Sequence, residues 1–365
     1  MPIRTVIVGY GNIGRAVREV IANNPDLELK GIISREPERV EKEAKGVRVF
    51  DFNDLDSWLH MGVDVAMLCG GSKKDLFGDG EKVKKIILEG KNSHNLNDML
   101  AEGGEGLLKL GQGPYLAQYF PITLDSFDDH QRISDYFDIL DRVARPKGHL
   151  AVLSSGWDPG TFSEARILFD AYAKGNKPKA FYGLKPEGGK SMGHSNALLE
   201  LDGIKYGIQY THAIPNLIKK ARNGEDISDK EKTVTRENFV VLKTDNLNER
   251  TRVMHEINTM EDYYVGYETT THFISEDEFR AKHANAKQHD GIVIATGKVG
   301  KYSARQEFKC EYESNAHGTA GIMIACARGA YKLKKEGKVG AIVPADIPAT
   351  YKSPRSRDEL LKGFM

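Results

Sequence analysis

The sequence predicts an α/β protein with a parallel sheet in its first domain and a mixed or antiparallel sheet in a second, α+β domain. Strand-like and helix-like segments alternate up to about residue 160, which is typical of a parallel sheet. From residue 178 the strand-like segments become longer and alternate apolar with polar residues, which favours a sheet of another kind. The length of 365 residues suits two domains, and 40% hydrophobic residues suffice for a core.

The first element is an apolar strand, residues 3–8, that runs into Gly9-x-Gly11-x-x-Gly14 and a helix-like stretch, residues 15–22. Gly9 permits a tight turn, Gly11 lets the backbone approach a pyrophosphate, and Gly14 lets the helix pack closely on the strand. The helix N-terminus offers N–H groups to the anion. This context predicts a Rossmann-type dinucleotide-binding domain; the alternative is a merely tight turn between strand and helix.

The second strand, residues 27–33, is followed by Ser34 and Arg35. A site specific for NAD usually carries Asp or Glu there, to accept from the ribose 2′-hydroxyl. A hydroxyl and a guanidinium suit a 2′-phosphate better, because arginine matches phosphate oxygens in bidentate geometry. The sequence therefore favours NADP, although Glu36 could contact the ribose or pair with Arg35, and a solvated turn is the remaining alternative.

Three further strands are predicted at residues 63–69, 121–124 and 150–153, each followed by small or polar residues. Ligands of open α/β sheets bind at the carboxyl ends of the strands. The predicted cofactor-binding residues, in the glycine turn and at these strand ends, are Gly9, Gly11, Asn12, Ile13, Gly14, Ser34, Arg35, Cys69, Gly70, Gly71, Ser72, Ser126, Phe127, Ser155, Gly156, Trp157 and Pro159.

The remaining elements are predicted from periodicity alone. Strands are expected at residues 204–211, 239–243 and 291–295, and a helix at 319–335. Residues 91–119 are rich in glycine and lack a clear strand or helix period, so they are interpreted as an insertion. A surface excursion is favoured there over a lid or a subunit contact.

Composition narrows the functional classes. The 52 basic and 52 acidic residues balance, so nothing indicates a nucleic-acid groove or a polybasic membrane surface. No apolar run approaches about 20 residues and the chain enters a strand at once, so neither a signal peptide nor a membrane span is expected. Cys69, Cys310 and Cys326 lack CxxC spacing, so neither a disulfide framework nor a metal site is predicted. These features favour a soluble cytoplasmic protein.

Six segments, taken together and in this order, closely resemble the meso-diaminopimelate dehydrogenase family. They are Val8-Gly-Tyr-Gly-Asn-Ile-Gly-Arg15, Leu124-Asp-Ser-Phe-Asp-Asp-His130, Ser155-Gly-Trp-Asp-Pro-Gly160, Ser191-Met-Gly-His-Ser195, Asp262-Tyr-Tyr-Val-Gly-Tyr267 and His289-Asp-Gly291. The resemblance implies a homodimer of three-part chains. The parts are a dinucleotide-binding domain at 1–157, a substrate and dimerisation domain at 158–317, and a segment at 318–365 that returns to the first domain.

The resemblance also implies an activity in lysine and cell-wall precursor metabolism. The enzymes of this family carry out NADP-dependent, reversible oxidative deamination at the D-centre of meso-2,6-diaminopimelate, giving L-2-amino-6-oxopimelate, ammonia and NADPH. Asp128 and Asp158 would hold the reacting ammonium, and either could take part in proton transfer. The structural alternative for each is an aspartate that caps a turn or helix.

The substrate-binding residues implied by the resemblance are Asp128, Asp158, Trp157, Tyr182, Met192, Gly193, Thr211, Arg236, His289 and Asn315. Arg236 would clamp a carboxylate, Thr211 and Asn315 would offer neutral hydrogen bonds, and His289 would donate to the distal carboxylate. A solvated arginine and a structural histidine are the alternatives. Relatives also carry glutamine at the position of Met192, which leaves substrate breadth open.

Two competing functions remain at this point. The first is another NADP-dependent amino- or hydroxy-acid dehydrogenase on the same scaffold, in which Arg236, His289 and Asn315 would not jointly contact the far end of a dicarboxylate. The second is a non-catalytic NADP(H) sensor, in which Asp128 and Asp158 would point away from the nicotinamide.

Overall fold

A computed structural model describes residues 1–78, 100, 103–261 and 263–365. These residues form two compact units: a first unit made of residues 1–164 and 316–365, and a second unit made of residues 165–315. The C-terminal residues thus belong to the same unit as the N-terminus.

The secondary structure follows in chain order. The strands are β1 (Ile3–Val8), β2 (Leu27–Ser34), β3 (Val49–Asp51), β4 (Val65–Leu68), β5 (Ile122–Asp125), β6 (Leu150–Val152), β7 (Lys174–Gly175), β8 (Lys179–Tyr182), β9 (Gly189–Ser191), β10 (Ile204–Ala213), β11 (Val234–Leu242), β12 (Thr269–Phe273), β13 (His289–Val299), β14 (Tyr302–Tyr312) and β15 (Gly340–Ile342). The helices are α1 (Asn12–Ala22), α2 (Pro37–Glu43), α3 (Leu55–Leu59), α4 (Glu105–Leu108), α5 (Gln112–Ala117), α6 (Ile133–Ala144), α7 (Thr161–Tyr172), α8 (Met192–Leu199), α9 (Pro215–Asn223), α10 (Leu247–Thr259), α11 (Glu276–Lys282), α12 (Asn315–Lys335), α13 (Ala349–Lys352) and α14 (Arg357–Phe364). Short π or 3₁₀ turns occupy Ser72–Leu76, Arg145–Lys147 and Pro344–Asp346. Within the described ranges, no helix is both long and apolar enough to cross a membrane.

The first unit contains a seven-stranded sheet in the order β15-β6-β5-β4-β1-β2-β3. All neighbouring strands are parallel, so the prediction of a parallel sheet is confirmed. The chain leaves β1 toward β2 and β3 on one side, and β4, β5 and β6 follow on the other. The carboxyl ends of β1 and β4 therefore lie at the point where the strand order reverses, which is where such sheets bind ligands.

Apolar side chains cover both faces of this sheet. Ile7 and Met67 point into a core that includes residues of α1 and α12. Val8 and Leu68, the next residues along the same strands, point into a second core that includes residues of α3, α5 and α6. Because successive strand residues face opposite sides, strands buried on both faces show nearly continuous apolar runs.

The described part of the predicted insertion, residues 100 and 103–119, is not a surface excursion, so that prediction is wrong there. It contains α4 and α5, and Leu107, Leu110 and Leu116 are fully buried in the core on the α6 side. Gly111 has a positive φ of 126°, and a Cβ there would lie 2.4 Å from the carbonyl oxygen of Leu76. The glycines thus mark close packing rather than a loose loop. Residues 91–99, 101 and 102 lie outside the described residues.

The second unit contains two sheets, which confirms the expectation of mixed and antiparallel pairing. In the sheet β12-β11-β10-β9, β11 and β12 are parallel while the other neighbours are antiparallel. In the other sheet, β13 pairs in antiparallel fashion with β14, β7 and β8. The register places Thr211 directly opposite both Arg236 and Gly189, and pairs Tyr182 with Gly291.

Candidate functional site

Glycine suits each of the three positions of the turn after β1 for a different geometric reason. Gly9 has a φ of 89°, and its N–H donates to the carbonyl oxygen of Ile33 at 2.9 Å. A Cβ on Gly14 would lie 2.3 Å from the carbonyl oxygen of Gly9, so helix and turn are in close contact. A Cβ on Gly11 would meet none of the described atoms within 4 Å. The Gly11 backbone is therefore open to close approach by a pyrophosphate.

Helix α1 begins directly after this turn. Its first residues are Asn12, Ile13 and Gly14, and in the described structure no side chain caps its N-terminus. The first N–H groups of a helix lack intrahelical partners and carry the positive end of the helix dipole. Together with the open face of Gly11, this helix end fits the phosphates of a dinucleotide.

At the end of β2, Ser34 is buried and its Oγ accepts from the N–H of Glu36 at 3.0 Å. Arg35 is 57% exposed and forms an ion pair with Asp75, whose Oδ2 accepts from the N–H of Gly71 at 2.7 Å. Glu36 pairs with Arg39 at 2.6 Å instead of with Arg35. The arginine predicted to bind a 2′-phosphate is thus connected through Asp75 to the turn after β4.

The ends of β4 and β5 are joined by a reciprocal pair of hydrogen bonds. The Oγ of Ser72 donates to Oδ1 of Asp128 at 2.5 Å, and the N–H of Asp128 donates to the Oγ of Ser72 at 3.1 Å. The carboxylate of Asp128 is exposed. The structure therefore brings together a predicted cofactor residue and a predicted catalytic residue.

Several predicted cofactor residues present only their main chain. The side chain of Phe127 is completely buried, and burial raises the pKa of the Cys69 thiol well above its ordinary value. Gly70 and Gly71 carry no side chain, and a Cβ on Gly70 would lie 2.6 Å from the Cβ of Asp75. Contacts from Cys69, Gly70, Gly71 and Phe127 to a cofactor would thus come from backbone N–H and C=O groups.

The loop after β6 is compact. Ser155 is fully buried and Ser126, on the neighbouring loop, is half-buried. Trp157 is buried against Phe162, with ring centroids 5.1 Å apart. Gly156 pairs with Gly160, where a Cβ would lie 1.8 Å from the Gly156 carbonyl oxygen.

Two predicted site residues follow Trp157 in this loop. Asp158 is half-buried, and Pro159 is buried beside it. The indole of Trp157 and the carboxylate of Asp158 are thus carried by one tightly turned segment.

In the second unit, Arg236 is only 6% exposed. Its guanidinium carbon lies 3.7 Å from the ring centroid of Tyr267 and 5.6 Å from that of Tyr264. Among the described residues, Nε and Nη1 of Arg236 have no hydrogen-bond partner, and burial lowers the pKa of the guanidinium. A buried cation whose N–H groups lack acceptors is costly, and a planar carboxylate would satisfy it.

Thr211 lies opposite Arg236 on the adjacent strand. Its side chain is buried, and its Oγ1 accepts from Nε2 of the fully buried Gln209 at 3.1 Å. The strand pairing, which sequence periodicity cannot specify, is what places Thr211 and Arg236 side by side on neighbouring strands.

His289 starts β13 and is buried, and burial lowers its pKa to about 3, so the imidazole is neutral. Its ring packs on Gly189, where a Cβ would lie 1.9 Å from Nδ1, and its centroid is 6.4 Å from that of Tyr182. Tyr182 accepts a hydrogen bond on its hydroxyl from Nη2 of Arg166 at 3.0 Å.

Asn315, the first residue of α12, is buried. Its Nδ2 donates to the carbonyl oxygen of Lys190 at 3.1 Å, and its N–H donates to that of Lys287 at 2.8 Å. Met192 and Gly193 are half-buried and open α8, next to Ser191, whose Oγ is 2.6 Å from Nδ1 of His194. Asn315 is thus held by main-chain oxygens of β9 and of the segment just before β13.

Two protein-family models match parts of this chain. Residues 156–314 match the model described as the diaminopimelic acid dehydrogenase C-terminal domain, and residues 3–94 match that of the oxidoreductase family with an NAD-binding Rossmann fold. A meso-diaminopimelate D-dehydrogenase from Ureibacillus thermosphaericus is 38% identical over 366 residues, covering 100% of this chain and 99% of the relative. The chain belongs to the meso-diaminopimelate D-dehydrogenase family.

Two solved structures, each more than 30% identical to this chain, are similar to it in fold. The diaminopimelate dehydrogenase of C. glutamicum, in complex with DAP, matches with a TM-score of 0.82 at 32% identity and covers 100% of this chain and 99% of its own. An engineered D-amino acid dehydrogenase bound to NADP+ matches with a TM-score of 0.82 at 31% identity, covering 100% of both chains. The predicted combination of a Rossmann-type domain and a second α+β domain is confirmed.

Sequence reasoning missed three residues that the structure places at these sites. Asp75 pairs with Arg35, Asp125 lies buried at the end of β5, and Tyr267 stacks on Arg236. Tyr267 ends one of the segments that carry the family resemblance, and Asp125 stands in another, so both had a signal. Asp75 had none, because its partner is 40 residues away in the chain.

Proposed function

We propose that this family member catalyses the NADP-dependent, reversible oxidative deamination of meso-2,6-diaminopimelate at its D-centre, giving L-2-amino-6-oxopimelate, ammonia and NADPH. The observation that carries this proposal is the buried Arg236, whose Nε and Nη1 lack partners among the described residues. A guanidinium that packs against two tyrosine rings and has no carboxylate partner among the described residues is suited to a carboxylate of the substrate.

The residues of the first unit fit NADP. The open backbone at Gly11 and the uncapped start of α1 would hold the pyrophosphate, and Arg35 would meet the 2′-phosphate. When bound, the nicotinamide supplies the chemistry that takes up hydride from the carbon bearing the amine. No protein nucleophile is needed for that reaction.

Asp128 and Asp158 would act on the reacting amine. Each is a carboxylate after a strand end of the parallel sheet, and the hydrogen bond from Ser72 fixes the rotamer of Asp128. An ammonium held by carboxylates is oriented for reaction, and it must lose a proton before the C–N bond can take on imine character. We assign Asp128 and Asp158 to holding this group and accepting that proton.

The residues of the second unit would bind the non-reacting end. Arg236 would hold a carboxylate in bidentate geometry, with the Thr211 hydroxyl beside it. His289 is neutral at physiological pH because of its lowered pKa, so it would offer one N–H without a charge. Asn315, Tyr182, Met192 and Gly193 complete the proposed set.

The test is a direct assay. Purified protein is incubated with NADP+ or NAD+ and with meso-, L,L- or D,D-diaminopimelate, while absorbance of the reduced cofactor is followed. We expect turnover with NADP+ and the meso isomer, a product that is L-2-amino-6-oxopimelate, and release of ammonia. Turnover of simple D-amino acids or hydroxy acids in preference to diaminopimelate would favour the other-dehydrogenase alternative. NADPH binding without turnover of any of them would favour the sensor.

We also propose that the protein is a cytoplasmic homodimer. The second unit exposes large apolar side chains on α7 and at the β13–β14 hairpin, including Leu168, Tyr172 and Tyr302. Exposed apolar surface of this kind supports association with a second copy. Light scattering should give a mass about twice 40.6 kDa, and a mass equal to one chain would contradict the dimer.

A further inference from the structure

Asp125, the last residue of β5, organises two loops at once. It is 2% exposed, and its carboxylate accepts from the N–H of Phe127 at 2.9 Å, the N–H of Ser154 at 3.0 Å and the hydroxyl of Tyr136 at 2.8 Å. Ser154 has a φ of 60°, which is uncommon for a residue other than glycine and needs support from its surroundings. One side chain therefore sets the start of both loops that carry predicted catalytic residues.

Tyr136 of α6 connects this carboxylate with the loop after β4. Its ring is fully buried, with centroid distances of 4.4 Å to Phe127 and 5.0 Å to Phe77. Phe77 follows the π turn that starts with Ser72, and Phe127 precedes Asp128. The tyrosine thus touches both segments whose ends meet in the hydrogen bond between Ser72 and Asp128.

Helix α5 fixes the position of this tyrosine. A Cβ on Gly113 would lie 1.9 Å from the Tyr136 hydroxyl oxygen and 2.7 Å from its ring carbon Cζ, so the helix backbone lies directly against the hydroxyl. A neighbour with a side chain at that position would push the hydroxyl away from Asp125. The glycine in the described part of the predicted insertion therefore has a specific partner.

We propose that Tyr136 is a positioning residue for Asp128, that it acts through Asp125, and that Gly113 of α5 holds it in place. This inference rests on the proposed function, because it takes Asp128 as the group that binds the reacting amine. It gives residues 112–117 a functional role, in place of the surface role that the sequence favoured.

The charge of the Asp125 carboxylate strengthens the hydrogen bond that it accepts from the Tyr136 hydroxyl. Burial raises the pKa of Asp125 to about 6, while the hydroxyl of Tyr136 and the two backbone N–H groups act in the opposite direction. The ionisable groups that act on Asp125 from the surrounding elements are Tyr136 of α6 and Asp128 of its own loop. Removal of the hydroxyl should therefore raise the pKa of Asp125 further and weaken its hold on both loops.

The first test variant is Tyr136→Phe, which keeps the ring and removes only the hydroxyl. We expect kcat for diaminopimelate oxidation to fall about tenfold, on the scale of one hydrogen bond to a charged group. KM for NADP+ should stay unchanged, and the acidic limb of the pH profile should move to higher pH. A purely structural role would lower stability without moving that limb. The matched control is Tyr210→Phe, which removes the hydroxyl of another buried tyrosine, 3.1 Å from Nδ1 of His283, and should leave kcat and the acidic limb unchanged.

The second variant is Gly113→Ala, which should reproduce the loss in kcat. Its effect should be smaller when combined with Tyr136→Phe, because the hydroxyl that it displaces is already absent. Gly363→Ala, where a Cβ meets none of the described atoms within 4 Å, is the control. If Gly113→Ala does not fold, Tyr136→Phe decides alone. Normal kcat and an unmoved acidic limb in Tyr136→Phe would overturn the proposal.

A readout without turnover separates this inference from the proposed function. Carboxyl ¹³C NMR should show a higher pKa for Asp125 in Tyr136→Phe, together with a changed resonance of Asp128. If the unmutated protein does not oxidise diaminopimelate, the proposed function is wrong, and an unchanged Asp128 resonance would then also reject the positioning role. If the unmutated protein is active and both kcat and the resonances of Tyr136→Phe are normal, only this inference is wrong.

Discussion

Asp128 in the first unit and Arg236 in the second differ in how the chain satisfies their charged groups. Oδ1 of Asp128 accepts from Ser72, and the backbone N–H of Asp128 returns a bond to the same hydroxyl. Arg236 is buried against two tyrosine rings, and its Nε and Nη1 have no acceptor among the described residues. The first group is oriented in advance by its own chain, whereas the second is arranged to be completed by a ligand. Substitutions should therefore affect catalysis in one unit and the balance of stability and binding in the other.

The largest effect on turnover is expected from substitutions of the two aspartates assigned to the reacting amine. Asp128→Asn and Asp158→Asn should each lower kcat by roughly 10²–10⁴-fold, the range for groups that act on a reacting proton. NADPH binding, followed by fluorescence titration, should stay nearly intact because the partner of both carboxylates is the substrate ammonium. Asp138→Asn, an exposed aspartate on α6, is the control and should retain full turnover. Near-normal turnover in both test variants would show that the amine is bound elsewhere.

Arg236→Met tests the proposal that the buried guanidinium of the second unit is completed by a ligand. We expect kcat/KM for diaminopimelate to fall by about 100-fold, on the scale of a buried charge contact, and less for a simple D-amino acid. The free energy of unfolding without ligand should stay the same or rise by about 1 kcal/mol, because an uncompensated buried charge is removed. Arg222→Met, which breaks an exposed ion pair with Glu307, should leave activity unchanged. A clear loss of stability in Arg236→Met would mean that the guanidinium serves the fold.

A smaller effect is expected when Arg35 is replaced, on the preference for NADP+ over NAD+. The unmutated protein should favour NADP+ over NAD+, and Arg35→Ala should narrow that preference by roughly 1–3 kcal/mol, as for a charge-assisted hydrogen bond. The ratio of kcat/KM values for the two cofactors measures it. Equal efficiency with both cofactors before mutation would remove Arg35 from the phosphate site.

The smallest net effect is expected on the pH dependence of the free energy of unfolding, because two buried groups have opposite pKa shifts. The pKa of Asp125 is raised to about 6 by burial, so its contribution to stability is present below its ordinary value of 3.8 and is lost as the pH rises to 6. The pKa of His289 is lowered to about 3, so its contribution is present above 6.5 and is lost as the pH falls toward 3. Between about pH 4 and 6 the two slopes, each at most about 1.4 kcal/mol per pH unit, oppose each other.

Single variants should separate the two slopes in denaturant unfolding at several pH values. Relative to the unmutated protein, Asp125→Asn should make stability rise more steeply with pH, and His289→Gln should make it fall with pH, both between about pH 4 and 6. Parallel curves for all three proteins would show that neither carboxyl nor imidazole changes its pKa on folding.

The same contrast explains what the sequence could predict. In the first unit, the glycine turn, the strand ends and the apolar runs are local patterns, so strands β1, β2, β4, β5 and β6 were located closely. In the second unit, Thr211 and Arg236 meet through antiparallel register over 25 residues of separation, and no local pattern encodes that distance. Their assignment came only from family resemblance. Helix α5 was missed because Gly111 and Gly113 were interpreted as loop residues. Gly111, just before the helix, packs against Leu76, and Gly113, within the helix, packs against Tyr136.

The return of residues 316–365 to the first unit has a consequence for how the chain is made. Strand β15 adds to the sheet beside β6, Arg328 forms an ion pair with Asp26, and the buried residues of α12 cover the face that holds Ile7. A ribosome releases these last residues only after the whole second unit has been synthesised. Until then, the face that holds Ile7 is covered by α1 but not by α12, and its remaining apolar surface stays open to chaperones or to aggregation. The second unit has no such dependence, so vectorial synthesis favours its completion before that of the unit that starts the chain.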